Sequence, residues 1–281
     1  MSGSVDYTLL FPTGSSGPSG GLSAALYGLG LRSGTANPLQ VLRSAELNQT
    51  RDVKVTAEQP AVARDIAAFR AAVTKAKTPS ALLKSPAALK VLLTAGGLSD
   101  QVDYAALAQR VLVSNVRDPK SLVNRMAVAD PRWKALTQTY DFAHKGLSVL
   151  NRSDVLTRVA NAYAEVSWRK SLDATTPGLS NALAFRAQAA TVTSVDQILG
   201  DPVLRDVITT ALDIPKQIAL QSIPTQEHAV ATRLDLAKLK DKHFVDTLTQ
   251  TYLLNKSNDG RQGGAVATLD QLANRSAGLV V

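Results

Sequence analysis

No cysteine occurs in the 281 residues, which excludes disulfides, thiolate nucleophiles and every Cys-based metal or iron–sulfur site in one step. Aromatic residues make up only 5% of the chain. A core must therefore be built from Leu, Val, Ile and Ala, whose compact side chains let helices approach closely, and this favours an all-α fold. No stretch reaches the roughly 18 consecutive apolar residues of a membrane span. A classical signal peptide is not expected either. The first basic residue is Arg32, Asp6 stands near Met1, and glycines between positions 14 and 21 interrupt any apolar run.

What is present is an ordinary globular composition, 45% hydrophobic and 19% charged, long enough for a sizeable core. The formal charge is +8. It is unevenly spread: between Arg64 and Leu98 six cations face Asp65 alone, whereas between Ser180 and Ile214 Arg186 and Arg205 face Asp196, Asp201, Asp206 and Asp213. Such an imbalance suits packing of one stretch on the other, or self-association, at least as well as nucleic-acid binding.

These two stretches are also alike in sequence. Ala68-Phe69-Arg70-Ala71 recurs 116 positions later as Ala184-Phe185-Arg186-Ala187, and at the same spacing Leu83, Pro86, Val91, Thr94 and Ala95 meet Leu199, Pro202, Val207, Thr210 and Ala211. Leu136-Thr137-Gln138-Thr139-Tyr140 returns 112 positions later as Leu248-Thr249-Gln250-Thr251-Tyr252. The reading is an internal duplication of a multi-helix unit. It divides the chain into a flexible Gly/Ser-rich arm (1–37), a first helical repeat (38–144), a linking helix (145–175), a second helical repeat (176–255) and a mobile tail (256–281) that holds a short helix over 267–274.

Local signals place the helices. Thr78-Pro79, Ser85-Pro86, Asp118-Pro119, Asp130-Pro131 and Asp201-Pro202 each set an oxygen acceptor at the N-cap and proline at the first helical position. The spacing predicts helices over 60–77, 86–95, 104–113, 119–126 and 131–142, then over 180–191, 202–212, 215–221, 224–234 and 241–254. A long amphipathic helix over 153–172 joins the copies, with Val155, Val159, Tyr163 and Val166 on one face. Asp52-Val53-Lys54-Val55-Thr56 alternates with period two and is the one strand candidate.

No motif carries chemistry. The glycine-rich start has no Lys-Ser/Thr after its glycines, as a phosphate loop requires. His144, His228 and His243 read as isolated surface or cap positions, with no second histidine or carboxylate completing a ligand pair on one helix face. Ser167-Trp168-Arg169-Lys170 fits a bare Ser-x-x-Lys pattern without its companion elements, so Trp168 reads as a packing anchor. No catalytic, cofactor-binding or metal-binding residue is assigned, and no cofactor is expected. The structural and interaction candidates are Phe69, Arg70, Pro86, Trp133, Tyr140, Trp168, Phe185, Arg186, Pro202 and Tyr252. Lys75, Lys77, Lys84 and Lys90 form a basic face, read as solvated and kept as the alternative anion-binding site. Its lack of interleaved aromatics disfavours nucleic acid.

Leu112-Val113-Ser114-Asn115-Val116-Arg117-Asp118-Pro119-Lys120-Ser121-Leu122-Val123-Asn124-Arg125 and the following Asp130-Pro131-Arg132-Trp133 resemble the bacterial family called domain of unknown function 1217. Thr193 to Pro202, Leu212-Asp213-Ile214-Pro215 and Thr251-Tyr252-Leu253-Leu254 share the resemblance, which spans most of residues 38–255. Members are often encoded among flagellar genes of alpha-proteobacteria. The resemblance thus implies a non-enzymatic structural or assembly protein of the flagellum, with flagellar components as protein partners. It also implies a location in the cytoplasm or export through the flagellar apparatus. A basic nucleic-acid or anion-binding module is the alternative.

Overall fold

The computed structural model describes residues 37–276. The expected arm, apart from residue 37, and the last five residues of the expected tail lie outside the described residues. Every regular element among the described residues is a helix. In chain order they are α1 (Pro38–Glu58), α2 (Pro60–Lys75), α3 (Pro79–Leu83), α4 (Pro86–Ala95), α5 (Ala105–Leu112), α6 (Leu122–Met126), α7 (Arg132–Tyr140) and α8 (Phe142–Lys145). There follow α9 (Ser153–Leu172), α10 (Leu179–Gln188), α11 (Val195–Gly200), α12 (Pro202–Ala211), α13 (Ile223–Ala231) and α14 (Lys242–Ser276). Short 3₁₀ turns lie between them, among them Ser99–Gln101 and Lys216–Leu220.

The caps do what their chemistry predicts. Thr78 accepts from the Ala81 amide at 3.2 Å and Ser85 from Ala88 at 3.4 Å. At positions 116 later, Ser194 accepts from Gln197 at 3.2 Å and Asp201 from Val203 at 2.8 Å. Each satisfies an amide that the first helical turn leaves open. Asp118-Pro119 is a correction: Asp118 instead closes a turn by accepting from the Lys120 amide at 2.9 Å, and α6 begins at Leu122 behind Ser121.

Three further expectations are corrected. The strand candidate at 52–56 lies inside α1. Leu42, Ala45, Val53, Thr56 and Ala57 are buried or half-buried at helical spacing, and that longer period overrides five residues of alternation. The tail does not break at Ser257–Gly260, because α14 runs through it to Ser276. The 3₁₀ turn Lys216–Leu220 replaces the helix expected over 215–221.

Two apolar cores form. The first gathers Phe69, Leu82, Leu92, Val111, Trp133 and Tyr140. The second gathers Phe185, Ile198, Ile208, Val230, Leu248 and Tyr252. Buried positions recur between them at the sequence spacings: Phe69 and Phe185, Leu82 and Ile198, Val91 and Val207, and Leu98 and Ile214 at 116, then Leu136 and Leu248, Thr137 and Thr249, and Tyr140 and Tyr252 at 112. Removing each large apolar side chain from water contributes roughly 1.5–3 kcal/mol, so these positions dominate the stability of both cores.

Two long helices cross between the cores. α1 places Leu42 and Ala45 in the second core. α9 places Val155, Val159, Tyr163 and Ala164 in the first, and Trp168, with Leu172 packed beside it at the C-terminal end, in the second. α9 is therefore a structural member of the first core as well as the expected joining helix. α1 and α9 lie against each other, and Gln49 donates to Glu165 at 3.3 Å across a sequence separation of 116.

Candidate interaction surface

The aromatic candidates are all interior: Phe69, Trp133, Tyr140, Trp168, Phe185 and Tyr252 are buried. Pro86 and Pro202 sit at the first turns of α4 and α12, behind their capping residues. The two arginines differ. Arg186 holds Glu46 of α1 at 3.0 Å and also pairs with Asp246 of α14, tying the crossing helix to the second core. Arg70 is exposed and makes no ion pair among the described residues.

Of the basic face, Lys75, Lys77 and Lys84 are exposed, but Lys90 is engaged. Its Nζ lies 2.7 Å from Asp65, which also accepts from the Tyr163 hydroxyl of α9. Burial alone would raise the Asp65 carboxyl; the Lys90 and Tyr163 hydrogen bonds outweigh it and hold the group below its ordinary value. The positions 116 later carry a reversed pair. Asn181 donates to Asp206 at 2.8 Å, and Asp206 also accepts from Tyr252 at 2.7 Å and Lys256 at 2.7 Å. There too burial pushes the carboxyl up and its three donors bring it below normal. Each node thus pairs one charge of its stretch and leaves Arg64, Arg70, Lys75, Lys77 and Lys84 of the first without an ion pair among the described residues.

Arg132 is the third such node. It bridges Asp130 at 2.7 Å and Asp100 at 3.0 Å, and donates to the Gly97 carbonyl at 2.7 Å. His144, expected to be isolated, instead lies 2.6 Å from the carboxylate of Asp141, three residues before it. No group of three His, Cys, Asp or Glu among the described residues is placed to hold a metal ion. No described helix is long and apolar enough to cross a membrane.

Two surface depressions lie along α9, the lobes of a shallow cleft whose linings share Arg158 and Ala162. One, of about 650 Å³, runs between α1 and α9 and is lined by Val53, Lys54, Ala57, Asn161 and Glu165. The other, of about 530 Å³, lies where α9 meets α4 and α7, with Ala95, Val149, Val155 and Val159 beside Lys145 and Arg152. The aliphatic residues are buried or half-buried and form the floor, while the cations project: the side chains of Arg158, Arg152 and Lys145 are 70%, 67% and 53% exposed. Glu165 is the one acidic residue in the lining. The cleft is not legible in the sequence, because its walls come from segments some 100 residues apart.

Helices throughout, with ion pairs that join one helix to another, define an all-α protein. The family described as a protein of unknown function, DUF1217, matches residues 95–245. The chain belongs to that family. A solved structure, protein AGR_C_984 from Agrobacterium tumefaciens, is similar in fold at a TM-score of 0.66 and 20% identity, over 80% of this chain and 96% of that one. No curated protein matches.

Proposed function

We propose that the chain is a non-enzymatic structural or assembly protein of the bacterial flagellum that works through helix–helix contacts with protein partners. The observation that carries the interaction reading is the two-lobed cleft along α9, whose half-buried Val53, Ala57, Val149 and Ala162 offer a partner apolar surface between projecting cations. The polar nodes support it as well. Asp65 with Lys90, Asp206 with Lys256, and Arg186 with Glu46 and Asp246 join one segment to another. The flagellar part rests on where genes of the family are found.

The same reading treats the chain as an internal duplication. Caps at Ser85 and Asp201, and buried positions recurring at 116 and 112, support it.

Motility of a strain lacking the gene, electron microscopy of its filaments, and a blot of cytosolic and sheared-filament fractions test the flagellar role. Impaired swimming with malformed filaments supports it, and the fractionation separates an exported component from a cytoplasmic chaperone. Normal swimming with normal filaments refutes it. The basic-face alternative, weakened by the engagement of Lys90 with Asp65, is then tested by salt-dependent nucleic-acid binding.

A further inference from the structure

We infer that the cleft along α9 receives an acidic amphipathic helix from a different protein, with the apolar stripe of that helix on the aliphatic floor and its carboxylates against Lys54, Lys145, Arg152 and Arg158. This rests on the interaction reading above and names the partner of that site.

Charge selects the occupant. Four cations line the two lobes against Glu165, and Glu165 is already engaged by Gln49 at 3.3 Å and Arg169 at 3.7 Å. The nearby acid that competes is Asp154, which meets Arg152 at 2.9 Å and Arg158 at 3.1 Å from an exposed position. Lys145 has a loose partner in Asp141 at 3.8 Å. Exposed pairs of this kind are weak, so an incoming carboxylate displaces them at little cost. A second copy of this chain is a poorer match than an acidic helix, because its net charge is +8 and its Asp65, Asp100 and Asp206 are already held by cations of the same chain. Its own N-terminal segment is no better, since Asp6 is the one acid before residue 37.

Shape selects the element. Ala57, Ala95 and Ala162 are the small residues of the floor, and small residues at a crossing point let two helices approach to roughly 8–10 Å. An apolar stripe at i, i+3, i+4 and i+7 of the partner then meets the half-buried Val53 and Ala57 on one side of Ala162 and Val149 on the other. A nucleic acid has less to hold, because Tyr140, the aromatic of the lining, is 3% exposed and offers no face for base stacking.

The test is fluorescence anisotropy of the full chain with three labelled probes: a helix-stabilised acidic amphipathic peptide, its basic counterpart of identical apolar face, and a single-stranded oligonucleotide. The acidic peptide is expected to bind and the other two to bind at least about tenfold more weakly, as charge complementarity requires. Lys54→Glu with Arg158→Glu is expected to weaken the acidic peptide about tenfold or more. Asp154→Asn, which removes the competing carboxylate, is expected to tighten it several-fold. All these positions are exposed, so unchanged melting curves serve as the folding control. Equal binding of acidic and basic peptides, preference for the oligonucleotide, or indifference to the Lys54/Arg158 reversal overturns the inference. A motility defect together with no acidic-peptide binding overturns the partner while leaving the assembly role standing.

Discussion

Thr137 and Thr249 stand 112 positions apart, one in each core, and both are 0% exposed, yet their hydroxyls fare differently. Thr249 donates to the Val245 carbonyl at 2.7 Å, whereas the Thr137 hydroxyl has no hydrogen-bond partner. A buried hydroxyl without a partner costs roughly 1–3 kcal/mol, and valine replaces it with a methyl of similar shape and similar helix propensity. Thr137→Val is therefore expected to stabilise the protein by about 1–2 kcal/mol, a rise in Tm of about 2–6 °C for a chain of this size. Thr249→Val loses a hydrogen bond worth about 1 kcal/mol and gains a buried methyl worth about 0.8 kcal/mol, so it is expected to be nearly neutral. Urea unfolding followed by far-UV circular dichroism at neutral pH measures both, provided the m-values match wild type. A Thr137→Val midpoint at or below wild type, or equal shifts for both variants, refutes the reasoning.

Arg186→Ala leaves Glu46 and Asp246 facing each other without their cation and is expected to cost about 2 kcal/mol, between the values for exposed and fully buried pairs. An unchanged unfolding midpoint contradicts that. Trp168→Ala opens a cavity in the second core and is expected to cost about 3–5 kcal/mol by the same assay, a loss below about 1 kcal/mol being incompatible with the packing. Gly178→Ala combines a φ of 87° with a Cβ 2.7 Å from the Tyr252 hydroxyl, so both strain and a disturbed Asp206 node are expected to lower Tm. Asp65, Asp100 and Asp206 all titrate below their ordinary value in the fold. Their contribution is complete above the unfolded carboxylate value of about 4 and is lost as pH falls further. Asp173, raised by burial, acts in the opposite sense and is relieved on protonation. Stability is expected to fall between about pH 5 and about pH 2, and Asp206→Asn to flatten that slope; a slope identical to wild type counts against the node.

Helices that announce themselves with a capping side chain and proline are legible, as at Ser85-Pro86 and Asp201-Pro202. α9 is legible to its terminal residues because its apolar stripe is long. α1 is less so. Its start, Asn37-Pro38, has the same acceptor-and-proline order, but Val53-Lys54-Val55 mimics a strand, and apart from the adjacent α2 the helices that α1 packs on, α9, α10 and α14, are far along the chain. Nothing in a local period says which core a helix joins, so the crossing of α1 and α9 is visible only in three dimensions. Lys90 shows the same limit for the candidate sites. Its neighbours in sequence suggest a solvated basic face, whereas it shares Asp65, 25 positions away, with Tyr163 of α9.

The crossing of α1 has a consequence for the order in which the molecule is made. Of the described helices α1 is synthesised first, but the second core that covers Leu42 and Ala45 draws on α10, α12 and α14, and is complete only after Tyr252 and Leu253 have been added. At roughly 5–20 residues per second, the apolar stripe of α1 waits about 10–40 s for its cover. The first core is also held open during synthesis until α9 supplies Val155 and Val159. Nascent chains are thus expected to compact around the first core once α9 has emerged, and a truncation before α14 to leave Leu42 and Ala45 exposed to chaperones and proteases.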